Sequence, residues 1–245
     1  ILGRWGLTKG FGRLAAALSG DPKRIKATQA TVWYPSARVV PALLAALKDK
    51  DERVREGVSK ALELAIDARA TGPLLAAMKD QDAFVRARAA GGLGQTRDTR
   101  AVEPLIAAMK DEDKLVRMSA AWALGDLADP RAAASLTAAL KDSSDAVRAA
   151  AARALKTAGG PRAAGPLAAA LGDKDTSVRK CAAEALGLFG DARVCEPLAA
   201  ALKREPDAKV RWAMTVALAR LRSPHAIEPL AAAMKNADPY IRSEA

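Results

Sequence analysis

The feature that most constrains this chain is an internal repeat. Segments 39–69, 70–100, 101–131, 132–162 and 163–193 are each 31 residues long. Segment 194–225 follows with one extra residue, and 226–245 is the first part of another unit. Counting the first residue of a copy as zero, position 4 is Leu43, Leu74, Leu105, Leu136, Leu167, Leu198 and Leu230. Position 8 is Leu or Met in every copy, and a later apolar anchor (Val54, Val85, Val116, Val147, Val178, Val210, Ile241) is always followed by Arg. A fixed period of this length means stacked units of one supersecondary motif.

The pattern inside a copy predicts two helices. Leu and Ala at spacings of three and four make helix A over positions 1 to 9. Proline at position 3 (Pro73, Pro104, Pro166, Pro197, Pro229) fits only a first turn and so fixes where that helix begins. A Lys-Asp pair such as Lys110-Asp111 marks the turn, and Asp51, Asp82, Asp113, Asp175 and Asp238 are placed to cap helix B. A unit of this size cannot bury its own apolar faces, so neighbours must stack. The expected fold is all-α: a right-handed α-solenoid of about seven two-helix repeats forming one domain over 1–245.

Residues 1–38 fit more loosely. Leu14 to Leu18 and Ile25-Lys26 match parts of the pattern, so degenerate repeats are expected there. Ile1-Leu2-Gly3 reads as the end of a helix B, and Ser243-Glu244-Ala245 stops inside another. With no signal-peptide pattern in the sequence, the expectation is a fragment of a longer protein.

Composition excludes several classes. The longest apolar runs fall short of a membrane span. Two cysteines, Cys181 and Cys195, cannot form a disulfide framework, which makes the cytoplasm the expected compartment. They lack zinc-ligand spacing, and a single histidine, His225, argues against a His-rich metal site or a Ser-His-Asp triad. Catalytic residues, metal and cofactor are accordingly all expected to be none. His225 takes the place of a terminal Arg and reads as a loop residue.

The run EPLIAAMKDEDKLVRMSAAWALGDLADPRA, Glu103–Ala132, resembles the HEAT-like repeat of the phycobilin-lyase class. That type recurs in bilin lyases, in a metal-dependent deoxyhypusine hydroxylase and in many bacterial and archaeal scaffold proteins. The hydroxylases hold their metal with repeated His-Glu pairs, which this sequence lacks. In members of the class helix B lines the concave face, and function resides where copies differ. The recurring Asp of the helix-B cap and the Arg four residues on, such as Asp113 and Arg117, read instead as framework that bridges adjacent repeats. So do the terminal arginines.

The variable helix-B positions are 17, 18, 21 and 25. They hold Glu56, Gly57, Lys60 and Leu64; Arg88 and Gln95; Met118, Ser119, Trp122 and Asp126; Arg153 and Thr157; Lys180, Cys181, Glu184 and Leu188; then Trp212, Val216 and Arg220. Two Trp, a Met and several cations have the composition of a protein-binding surface. A protein partner on the concave face is therefore expected at Arg88, Met118, Trp122, Asp126, Arg153, Lys180, Trp212 and Arg220. Trp122 as a filler of the inter-helix groove is the competing reading.

The formal charge of +11 is uneven. Residues 1–38 hold seven basic residues against Asp21, a net +6, and the remainder carries +5. Lys9, Arg13, Lys23, Arg24 and Lys26, with Trp5, Trp33 and Tyr34 nearby, mark a patch for an acidic partner. No continuous basic stripe with interleaved aromatics runs along the repeats, so nucleic acid is not the expected partner, and no membrane is. The leading expectation is a non-enzymatic scaffold or adaptor. One alternative is a bilin-lyase-like tetrapyrrole chaperone or lyase. Another is nucleic-acid binding, including a HEAT-like alkylpurine DNA glycosylase, in which Trp122, Asp126 and Trp212 would supply aromatics and a carboxylate.

Overall fold

Residues 36–233 are described in the computed structural model. Lys9, Arg13, Lys23, Arg24 and Lys26, with Trp5, Trp33, Tyr34 and the cap candidate Asp238, lie outside the described residues. Thirteen α-helices are described, with no strand among the described residues. They alternate between short and long. The helix-A elements are α1 (Ser36–Ala46), α3 (Thr71–Ala77), α5 (Val102–Ala108), α7 (Ala133–Ala139), α9 (Ala164–Ala170), α11 (Cys195–Leu202) and α13 (Ile227–Ala233). The helix-B elements are α2 (Glu52–Ala65), α4 (Ala83–Thr96), α6 (Lys114–Leu127), α8 (Asp145–Ala158), α10 (Thr176–Phe189) and α12 (Ala208–Leu221). This is an α-solenoid.

From the second regular copy on, the A helices begin at position 1, as the sequence predicts, but they end early. Copy 101–131 is expected to carry helix A over 102–110, yet the α-helix covers Val102–Ala108. It closes in a tight turn, where Lys110 N–H donates to the Ala107 carbonyl and Asp111 N–H to that of Ala108. At the other end a 3₁₀ turn, Thr99–Ala101, precedes it. Asp98 caps that turn, accepting from Arg100 N–H while its carboxylate also binds the Arg100 guanidinium. The same Asp-x-Arg device recurs at Asp67–Arg69, Asp129–Arg131 and Asp191–Arg193. Arg69, Arg100, Arg131 and Arg193 are therefore turn staples, whereas the turn of Arg162 starts at Gly160 and has no side-chain cap. His225 sits on the equivalent 3₁₀ turn, Pro224–Ala226, capped by Ser223.

Burial follows the repeat. Leu43, Leu74, Leu105, Leu136, Leu167 and Leu198 are all fully buried, as are Val116, Val147, Val178 and Val210. Each such side chain removed from water stabilises the fold by about 1.5–3 kcal/mol, so this recurring set is the main force that stacks the units. Side-chain caps start α4, α6, α10 and α12, whereas Ser144 before α8 makes no side-chain cap bond. Asp82 accepts from Phe84 N–H, Asp113 from Leu115 N–H, and Asp175 from Ser177 and Val178 N–H. Asp207 does the same in the copy lengthened by one residue.

The chain divides into two compact units, Ile1–Ala123 and Leu124–Ala245. In the first, α1 packs on α2 and α3 on α4, while neighbouring repeats join through α1 with α3 and α2 with α4. A Cβ built on Gly94 of α4 would lie 2.8 Å from the Ala123 Cα. Only a residue without a side chain lets these two backbones come so close. In the second unit α7 packs on α8, α9 on α10 and α11 on α12, and the B helices α8, α10 and α12 pack in series. Gly187 of α10 stands against Ala217 of α12, where a Cβ would be 2.7 Å from the Ala217 Cα.

Carboxylate–arginine staples tie repeat to repeat. In the first unit Arg86 Nε and Nη2 each donate to Asp111 at 2.9 Å. In the second, Arg148 binds Asp173 at 2.8 and 2.9 Å, and Arg179 binds Glu205 at 2.7 and 2.8 Å. Each arginine also donates Nη1 to two carbonyls of its own A–B turn, as Arg86 does to Asp80 and Gln81. Each acceptor carboxylate in turn holds the backbone N–H two residues on, as Asp111 holds that of Asp113. The arginine thus bridges to the next repeat, as its recurrence suggests, but through the turn carboxylate rather than the cap Asp four residues before it. Arg211 departs from the pattern, for its buried Nε meets no acceptor among the described residues.

Candidate functional site: the exposed row of the B helices

The B helices bury one side among their neighbours and leave positions 17, 18, 21 and 25 facing outward to different degrees. Position 25 is open wherever its side chain is described: Gln95, Asp126, Thr157, Leu188 and Arg220 are exposed. At position 21 Trp122 is 52% exposed and Arg153 is exposed, whereas Glu184 and Val216 are half-buried. Position 18 is more enclosed, with Ala150 and Ala213 buried and Arg88, Ser119 and Cys181 half-buried. Trp212 at position 17 is 38% exposed, while Met118 and Lys180 there are half-buried.

In the first unit Arg88 is held from two sides. Its guanidinium lies 5.1 Å from the Phe84 ring centroid, and Nη1 is 3.6 Å from Glu63 Oε1. These contacts fix the cation one turn beyond the start of α4. On α6, Leu115 is an exposed apolar residue, so Leu115, Met118 and Trp122 make a stripe at spacings of three and four. Leu115 lies in the first turn of its helix, outside the positions singled out from sequence.

The second unit gathers charge. Lys156 Nζ on α8 is 3.3 Å from Glu184 Oε2 on α10, and Lys180 Nζ is 3.9 Å from Glu184 Oε1. Cys181 sits among them. Burial pushes its thiol pKa up, Glu184 adds to this, and Arg153, Lys180 and Lys156 pull the other way. The structure thus brings Lys180 and Lys156 together on Glu184, with Arg153 acting electrostatically on the same thiol; sequence reasoning missed Lys156. Its signal was visible, because position 24 is Gly in the copies of Gly94, Gly125 and Gly187 but Lys in this one. On α12 Trp212 and Arg220 lie about two turns apart along one face. Cys195 is buried at the start of α11, and both cysteines are free.

The A side of the second unit is built differently. A groove of about 460 Å³ opens between α9 and α11, lined by small residues such as Ala168, Gly172, Ala200 and Ala201. Gly172 stands where other copies carry Lys48, Lys79, Lys110, Lys141 or Lys203. Within this unit the B helices are in close backbone contact, while a groove stands open between α9 and α11. No group of three or more His, Cys, Asp or Glu placed to hold a metal occurs among the described residues. None of the described helices is long and apolar enough to cross a membrane.

Comparisons with known proteins agree with this architecture. A family model described as HEAT repeats matches residues 71–156, 135–219 and 196–245. The YibA protein of E. coli is similar at a TM-score of 0.66 and 17% identity, over 92% of this chain and 85% of that one. An engineered protein is similar at 0.57 and 19% identity, over 94% and 75% of the two chains. Human deoxyhypusine hydroxylase in complex with glycerol aligns at 24% identity over 99% and 96%, but its TM-score of 0.43 is too low to bear on chemistry. No curated protein matches. With most of its length matched by that family model, the chain belongs to the HEAT-repeat family.

Proposed function

We propose that this chain is a non-enzymatic scaffold or adaptor that holds a protein partner along the exposed row of its B helices. One observation carries the reading. Of the five large apolar side chains exposed among the described residues, Leu115, Trp122, Leu188 and Trp212 are on B helices, and only Ile227 is on an A helix. Exposed Trp and Leu with Arg and Lys beside them supply what interface hot spots use. In the first unit the anchors are Met118 and Trp122, with Arg88; in the second the anchor is Trp212, with Asp126, Arg153, Lys180 and Arg220. Two free cysteines are in keeping with work in the cytoplasm. The test is retention of the native partner by immobilised wild-type chain and by Trp122→Ala and Trp212→Ala variants. Loss of binding in either variant supports the reading, and unchanged retention in both removes it.

A second reading follows the finer resemblance to the phycobilin-lyase class. The half-buried Cys181, with Arg153, Lys156 and Lys180 acting on it, offers a thiol and cations that could meet tetrapyrrole propionates. It requires a change in visible absorbance when bilin is mixed with the chain. An unchanged spectrum eliminates it.

A further inference from the structure

The B-helix face of the second unit has a charge pattern of its own. Lys156 on α8 and Lys180 on α10 meet at Glu184, Arg153 is exposed on α8 and Arg220 on α12. Glu184 lies within the cluster but is shared between Lys156 and Lys180 at 3.3 and 3.9 Å, so it offsets only part of their charge. Asp126, at the end of α6, is an exposed carboxylate at position 25. Beside the cations stand two exposed apolar groups, Leu188 (49%) and Trp212 (38%).

We propose that this face of the second unit binds an acidic amphipathic peptide segment of the partner, its carboxylates against Arg153, Lys156, Lys180 and Arg220 and its apolar side chains against Leu188 and Trp212. The proposal rests on the scaffold reading above and names the chemistry of what is held. Complementary charge sets orientation and excludes basic segments, because a like-charged ligand would bring further cations against a face already rich in them. A nucleic acid suits the face less well. Phosphates need a continuous track of cations with stacking aromatics. Here Glu184 interrupts the cations, and Leu188 has no π-face to stack on.

The test uses the full chain and three fluorescein-labelled probes. One is an amphipathic peptide of Glu and Leu with Leu at helical spacing, the second has Lys in place of Glu, and the third is an oligothymidylate of matching charge. Fluorescence anisotropy is expected to show binding of the Glu/Leu peptide. Lys156→Glu with Lys180→Glu should weaken it by about tenfold or more, Trp212→Ala should weaken it too, and Lys180→Arg should retain it. Far-ultraviolet circular dichroism confirms that the substituted surface residues leave the helices intact. Equal binding of the Lys/Leu peptide or the oligothymidylate, or affinity for the Glu/Leu peptide untouched by the charge reversal, overturns the proposal. The two readings fail separately. A native partner lost on Trp122→Ala or Trp212→Ala but kept by the charge-reversed chain leaves the scaffold standing and removes the acidic segment.

Discussion

Arg179 meets Glu205 edge-on, Nε donating to Oε2 at 2.7 Å and Nη2 to Oε1 at 2.8 Å, across the junction of two repeats. Glu205 is almost wholly enclosed, its side chain 2% exposed. Removing one member of such a pair strands the other away from water. Glu205→Gln should therefore lower unfolding free energy by roughly 3 kcal/mol, read as a lower urea midpoint. Replacing both members, with Arg179→Met and Glu205→Leu, should recover much of the loss. A single variant as stable as wild type would show that the pair contributes nothing net.

Two glycines of one helix should respond in opposite directions to the same change. A Cβ at Gly91 of α4 meets nothing within 4 Å, so Gly91→Ala should stabilise the chain by about 0.5–1 kcal/mol through helix propensity. At Gly94 the added carbon would lie 2.8 Å from the Ala123 Cα, a backbone atom that cannot swing aside. Gly94→Ala should destabilise by about 1–3 kcal/mol. Thermal melts of the two variants decide this, and shifts of the same sign would contradict the close contact.

Acid should loosen the junctions between repeats. The Arg86 guanidinium holds the Asp111 carboxyl below its ordinary pKa, and that of Arg179 does the same for Glu205. For Asp173 burial pushes upward, but the Arg148 guanidinium and the Asp175 amide outweigh it and the net shift is again downward. Carboxylates with depressed folded-state pKa values bind protons more readily in the unfolded chain. Their contribution is present above the unfolded pKa of about 4 and is lost as pH falls through the lower folded values. Urea midpoints should be flat near neutrality and fall below about pH 4.5. Asp173→Asn should flatten that fall, and an unchanged pH profile would separate these carboxylates from stability.

The sequence made the helices, their order and the core positions legible, because Leu at position 4 and the buried Val recur at one period. Legibility ended where a residue's partner lies in another repeat. The periodic Arg was visible, but that Arg148 reaches Asp173 and not its own cap depends on how neighbours stack. The shortened A helix was hidden for a related reason. Apolar spacing continues through Met109, yet the backbone already tightens there into the turn. On the exposed row, Trp122 and Trp212 stood out as departures from the repeat. Lys156 was passed over because it occupies a position that elsewhere belongs to packing glycines.

The most direct measurement is site-directed photo-crosslinking with the native partner. A photoreactive phenylalanine analogue replaces Leu188 or Trp212 on the B row, or Ala169 or Arg204 beside the groove on the A side. The expected result is covalent adducts from the two B-row positions and none from the A-side positions. Adducts from Ala169 or Arg204, with none from Leu188 or Trp212, would contradict the assignment of the B row as the binding face.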